Sequence, residues 1–184
     1  MKSFVLFLLA IALGLPFRAS AETPEEFSER YLNTLRAEGL TAVTKLTHPD
    51  EIKKLAGLIV ELTALAGKNG ESVPFIEKGD SVEKLRAQPP EQVAAKFFSW
   101  LGKVAPQLSS VLKTAEARTI GHLNDGDTVY VVTKLSMKIE GEVVESTDVL
   151  PLKKMGSSYG MLLKADMTQM LRGMKKQLEA AKEK

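Results

Sequence analysis

The chain has 184 residues, of which 25 are basic and 23 are acidic, and it contains no cysteine. The lack of cysteine excludes disulfide bonds, thiol nucleophiles, zinc–thiolate sites and iron–sulfur clusters. The formal net charge of +2 argues against nucleic-acid binding through bulk charge.

Residues 1–21 have the pattern of an export signal. A basic second residue precedes the apolar run at 4–15, and Ala19 and Ala21 satisfy the small-x-small rule of signal peptidases. The run is shorter than the roughly 20 apolar residues that span a bilayer. We therefore predict cleavage after Ala21 and export of a single domain, residues 22–184, to the periplasm or, as the second choice, to the medium.

The first part of the mature chain is predicted to be helical. Thr23 and Glu26 have the spacing of a capping box at the start of a first helix, and Gly39 ends that helix. Apolar residues then recur at helical spacing in two further long segments. A short turn or helix is predicted at 40–46, further helices at 47–67, 81–87, 90–104 and 108–114, and a short strand at 73–77.

From about Ala115 the apolar period changes from 3.6 to 2. Strands are predicted at 115–123, 128–139, 143–153 and 159–163, and a final helix from about Asp166. The turns between the strands are too short for parallel crossovers, so the sheet is an antiparallel meander over 115–163. The predicted fold class is α+β, with N-terminal helices packed on a curved sheet of about four strands and a C-terminal helix.

Three stretches resemble the nuclear transport factor 2-like superfamily. They are the Phe-x-x-x-Tyr-Leu pattern within 27–35, the Asp-Gly-Asp-Thr-Val-Tyr-Val-Val run at 125–132, and 149–154 before a Gly-Ser turn. Exported bacterial proteins of unknown function are similar to this family. The resemblance implies a cone whose sheet wraps around the helices. Relatives use the open end for ligand binding, isomerisation or protein contacts.

Tyr130 and Asp148 are the candidates for general acid–base chemistry. If the second and third strands pair symmetrically about Glu140, Tyr130 lies opposite Leu150, with Asp148 as a diagonal neighbour on the same face. A phenol and a carboxyl group could polarise a carbonyl, as in ketosteroid isomerase-like relatives. Because residues 145–148 are polar, a solvated carboxylate is expected, and the chain is interpreted as non-catalytic.

A ligand pocket is predicted to use aromatic and apolar side chains of the helices and of the second strand. The candidates are Tyr31, Trp100, Tyr130 and Met137. The expected ligand is a small apolar molecule. Trp100 is offset from the apolar stripe that contains Phe97 and Phe98, so it could line a pocket, although core packing is the favoured interpretation of this residue.

The two histidines have no partners at metal-ligand spacing, so no metal or cofactor is predicted. His48 precedes a proline at a helix start and is expected to cap that helix. His122 lies near the end of a strand and is expected to face solvent.

The methionines Met167, Met170 and Met174 form a stripe on the C-terminal helix. This helix could dock on its own domain, bind a groove of a partner protein or lie on an anionic membrane. The excess of basic residues around it is small, which disfavours the membrane alternative.

The sequence as a whole predicts an exported, non-catalytic domain that binds a small apolar ligand or a partner protein. One alternative is an isomerase or hydrolase that uses Tyr130 and Asp148. Another is a structural or assembly factor that acts through the C-terminal helix. Neither a nucleic-acid partner nor a transmembrane segment is expected in the mature chain.

Overall fold

The computed structural model describes residues 21–77, 79–139 and 141–181. The predicted export signal lies outside the described residues, except for Ala21. The helices are α1 (Pro24–Glu38), α2 (Val43–Leu46), α3 (Pro49–Lys68), α4 (Val82–Ala87), α5 (Pro90–Val104), α6 (Pro106–Thr114) and α7 (Ala165–Ala181), with a 3₁₀ turn at Leu40–Ala42.

Helix α1 begins and ends at the residues that its sequence predicts. The Thr23 hydroxyl accepts a hydrogen bond from the Glu26 backbone N–H at 3.2 Å, and the Glu26 carboxylate accepts one from the Thr23 N–H at 2.7 Å. Gly39 follows the last turn with φ of 76°, a conformation that glycine adopts without strain. The capping box is therefore confirmed.

Four strands follow the helices: β1 (Glu116–Asp125), β2 (Thr128–Ile139), β3 (Glu142–Met155) and β4 (Ser158–Met161). They pair in the order β1-β2-β3-β4, and each pairing is antiparallel. The α+β prediction with an antiparallel meander and a C-terminal helix is confirmed.

The predicted strand at 73–77 is wrong. Its backbone turns instead, with the Ile76 N–H donating to the Val73 carbonyl at 3.0 Å. Val73 and Phe75 are both buried, so two apolar residues two positions apart imitate strand alternation. No neighbouring strand among the described residues pairs with this segment.

The hydrophobic core lies between the helices and one face of the sheet. The strands contribute alternate residues to it, among them Val129 and Val131 of β2 and Leu150 and Leu152 of β3. The intervening residues of the same strands point away from the helices. The molecule therefore has two layers, and the sheet has a helix-covered face and an outer face.

Helix α7 docks on its own domain. Leu171 is fully buried, the Asn69 amide donates to the Leu178 carbonyl at 2.7 Å, and Lys175 pairs with Glu61 of α3 at 3.0 Å. In the methionine stripe, two members pack against the core, whereas Met170 is 40% exposed. No helix in the described ranges is long and apolar enough to cross a membrane.

Candidate functional site

The structure places Tyr130 and Asp148 on opposite faces of the sheet. Tyr130 pairs with Pro151, and Asp148 pairs with Thr133, so the predicted register, symmetric about Glu140, is wrong by one residue. Residues alternate between faces along a strand, and a shift of one residue therefore separates the two side chains. The acid–base pair that the sequence suggested is not formed.

Asp148 instead faces the helical layer and is held by a lysine. The Lys164 ammonium donates to both carboxylate oxygens of Asp148, at 2.5 and 2.6 Å, and the Val149 N–H donates to Oδ1 at 2.9 Å. Lys164 follows β4 in the connection to α7. The ion pair therefore ties β3 to the start of the C-terminal helix.

Tyr31 of α1 lies near the same carboxylate. Burial of the phenol and, second, the negative charge of Asp148 raise the pKa of Tyr31 to about 12 from an ordinary value of 10.0. Both causes disfavour the phenolate. Tyr31 is therefore a neutral phenol at physiological pH, beside a carboxylate that Lys164 already neutralises.

We expect one of the three tyrosines to ionise late in a spectrophotometric titration, and this late step to be absent in Tyr31→Phe. Because the pKa is raised in the folded state, the associated stability is complete below about pH 10 and is lost as the pH rises through about 12. The free energy of unfolding, measured with urea, should therefore fall less steeply with pH across this range for Tyr31→Phe than for the unmodified chain. Identical slopes would contradict the placement of Tyr31.

A second region of interest surrounds residues 69–81, here called the α3–α4 connection. Three cavities border it, with volumes of about 320, 550 and 350 Å³. The backbone of the connection makes local hydrogen bonds, such as that from Glu71 N–H to the Ala66 carbonyl at 2.9 Å. Its position therefore depends on a few side chains rather than on a strand ladder.

The first cavity has an aromatic wall and a polar rim. The ring of Phe75 meets that of Phe97 at 5.4 Å and that of Trp100 at 5.6 Å, centre to centre. Trp100 is half-buried, so one edge of the indole borders the cavity. The cavity is lined by Thr41, Pro74, Phe75, Ile76, Glu77, Gln92, Ala95, Lys96, Ser99, Trp100 and Lys103. We call it the Trp100 pocket.

The larger cavity adjoins the Trp100 pocket, since Ile76 and Glu77 line both cavities. An ion pair connects the two cavities: the ammonium of Lys96, which lines the Trp100 pocket, lies 2.9 Å from Oδ2 of Asp80, which lines the larger cavity. This oxygen is buried and makes no well-aligned hydrogen bond. The pair therefore anchors the end of the α3–α4 connection to α5 by charge.

The third cavity separates the connection from α7. It lies between residues 71–74 and three side chains of the helix, Met174, Gln177 and Leu178. Three cavities thus border the connection. Among its described residues, Val73 and Phe75 have the buried side chains that hold it to the core.

Of the four predicted pocket residues, only Trp100 lines one of these three cavities. Tyr31 contacts the core beside Asp148, Tyr130 is on the outer face, and Met137 pairs with Val144 towards the far end of β2. The four side chains are therefore not brought together. The sequence signal that was missed is the buried pair at 73 and 75, of which Phe75 lines the Trp100 pocket and Val73 lines the other two cavities.

The histidines serve local structure. His48 caps α3, with its Nδ1 accepting a hydrogen bond from the Asp50 N–H at 3.3 Å, as predicted. His122 is exposed and contacts Glu25 of α1 at 2.6 Å, and this hydrogen bond lowers the pKa of the Glu25 carboxyl. In the ranges that the structure describes, no group of three or more His, Asp or Glu side chains could hold a metal ion.

Comparisons with protein-family models, with curated proteins and with solved structures find no match to this chain. The resemblance to the nuclear transport factor 2-like superfamily therefore stays a prediction.

Proposed function

We propose that this chain is an exported, non-catalytic domain that binds a small, largely apolar molecule in the Trp100 pocket. The observation that carries the proposal is the aromatic wall of Phe75 and Trp100 on a cavity of about 320 Å³. Ligand sites in proteins are concave, mostly apolar, and of about 300–1,000 Å³, with a few polar groups that orient the ligand. Export is supported by the pattern of residues 1–21.

The rim of the pocket favours a ligand with one polar or anionic end. Lys96 is neutralised by Asp80, whereas Lys103 makes no ion pair within the described part of the chain. Gln92 and Ser99 add neutral hydrogen-bonding groups at the rim. An apolar body could lie against the aromatic wall while its polar end stays near Lys103.

The alternatives have less support. An enzyme that uses Tyr130 and Asp148 loses its geometric basis, because the two side chains lie on opposite faces. An assembly factor that acts through α7 would have to use the exposed side of a helix whose apolar residues pack mainly inward.

Trp100 is the single tryptophan of the chain, so it reports on binding next to it. We expect 1-anilinonaphthalene-8-sulfonate, an apolar probe with an anionic end, to bind and to quench Trp100 emission by energy transfer. Decanoate should displace it. Ala95→Phe should weaken probe binding about tenfold or more, because the phenyl ring fills the pocket that Ala95 lines.

The matched control is Ala180→Phe, which makes the same change at an exposed position of α7 and should leave the affinity unchanged. Circular dichroism establishes that both variants are folded. Equal affinities for the probe in Ala95→Phe and in the unmodified chain would refute the proposal, as would binding without energy transfer from Trp100.

A further inference from the structure

The outer face of the sheet carries two adjacent apolar rows. Strand register places Leu123, Tyr130 and Pro151 side by side in the first row, and Gly121, Val132 and Val149 in the second. Leu123 is 67% exposed and Val149 is 43% exposed. A contiguous exposed apolar surface of this kind indicates an interaction site.

Charged residues border the two apolar rows on both sides. Beyond the Leu123 row, Asp125, Thr128 and Lys153 are in register, and beyond the Gly121 row, Arg118, Lys134 and Thr147 are in register. Along β1, the acidic and the basic residue thus stand at opposite ends of the apolar patch.

We infer that the outer face pairs with the outer face of a second copy of this chain. Two sheets pack face to face when their strands are nearly aligned, and a two-fold axis makes the same surface contact itself. The two-fold axis that we infer lies between the two sheets, perpendicular to the strands and midway between the two apolar rows. Rotation about this axis places the Leu123 row of one copy over the Gly121 row of the other copy, and the reverse. Leu123 then lies over Gly121 of the partner subunit, and Tyr130 lies over Val132 of the partner subunit.

Shape and charge both agree with this axis. The space above Gly121 is open, since an added Cβ would meet no atom within 4 Å, and it can receive a large side chain. The same axis sets Asp125 opposite Arg118 of the partner subunit, and symmetry forms this ion pair twice. An axis parallel to β2 would instead set Lys134 against its own copy.

The size of the face predicts the strength of the dimer. Strands about 4.8 Å apart and alternate residues about 7 Å apart give three strands and four rows an extent of roughly 15 by 25 Å. The area of such a face is below the approximately 800 Å² per subunit that a standard interface buries. The dimer should therefore be weak and should dissociate on dilution.

The experiment is sedimentation equilibrium of the mature chain over a dilution series. We expect a monomer–dimer equilibrium, which Arg118→Asp and Asp125→Arg each weaken about tenfold or more, while the double variant recovers most of the loss. Lys53→Glu, an exposed charge reversal on α3, is the control and should change nothing. Gly121→Gln should weaken the dimer without unfolding the chain, because it fills the open space.

Three results would overturn the inference. The first is a monomer at every concentration, which would leave the outer face to another partner or to solvent. The second is an assembly larger than a dimer. The third is a dimer that both single charge reversals leave intact, since its interface would then lie elsewhere. Recovery in the double variant separates a lost ion pair from misfolding.

Discussion

Replacing Phe75 with alanine should lower the free energy of unfolding by about 3–5 kcal/mol, the range for deletion of a buried aromatic side chain. Phe75 is only 4% exposed, and its ring makes an edge contact with Phe97 and a tilted contact with Trp100. Together with Val73, it also holds the α3–α4 connection to the core. The substitution therefore removes both a core contact and a wall of the Trp100 pocket.

Urea unfolding followed by circular dichroism measures the loss of stability, and probe titration measures the loss of the pocket. The control for the loss of stability is Ile76→Ala at the next position. Ile76 is half-buried and packs at the edge of the core. Its truncation should therefore lower the free energy of unfolding clearly less than Phe75→Ala does. A loss for Phe75→Ala no greater than that for Ile76→Ala would contradict the anchoring role of Phe75.

The ends of the helices could be predicted because their signals are local. Thr23 and Glu26 are three residues apart and satisfy each other's backbone and side-chain groups within one turn. Pro49 and Pro90 stand at the first position of α3 and α5, where a missing N–H costs nothing. Such rules need no knowledge of the tertiary fold.

The register of β2 and β3 depends on one turn residue and could not be predicted from alternation alone. The predicted register, symmetric about Glu140, would pair Lys138 with Glu142, whereas the structure pairs Ile139 with Glu142. Gly141 has φ of 93°, a conformation that glycine adopts without strain. This difference of one residue moved Asp148 away from Tyr130 and next to Lys164.

The candidate site was predictable in part. Trp100 could be identified because it is offset from the apolar stripe of α5. The opposite wall of its pocket comes from Phe75, whose position depends on packing between a connection and a helix distant in sequence. No periodic pattern reports such a contact, and the buried pair at 73 and 75 therefore resembled a strand.

Gly160→Ala should be the most damaging change of a single methyl group in the sheet. A Cβ at this position would lie 2.8 Å from His48 Cα and 3.0 Å from His48 N, and it would collide with the Met155 sulfur. The methionine can move, but the His48 backbone cannot move freely. Its N–H donates to the Met161 carbonyl at 2.8 Å, and His48 also caps α3.

Relief of this contact requires the start of α3 to shift relative to β4. We therefore expect the free energy of unfolding, measured with urea, to fall by about 2–3 kcal/mol, which is the upper end of the usual cost of overpacking.

Gly57→Ala is the matched control. Gly57 lies within α3, an added Cβ would meet nothing within 4 Å, and alanine should raise stability by about 0.5–1 kcal/mol. The two variants add the same methyl group with opposite expected signs. Unchanged or increased stability in Gly160→Ala would show that β4 and the start of α3 are not in this close contact.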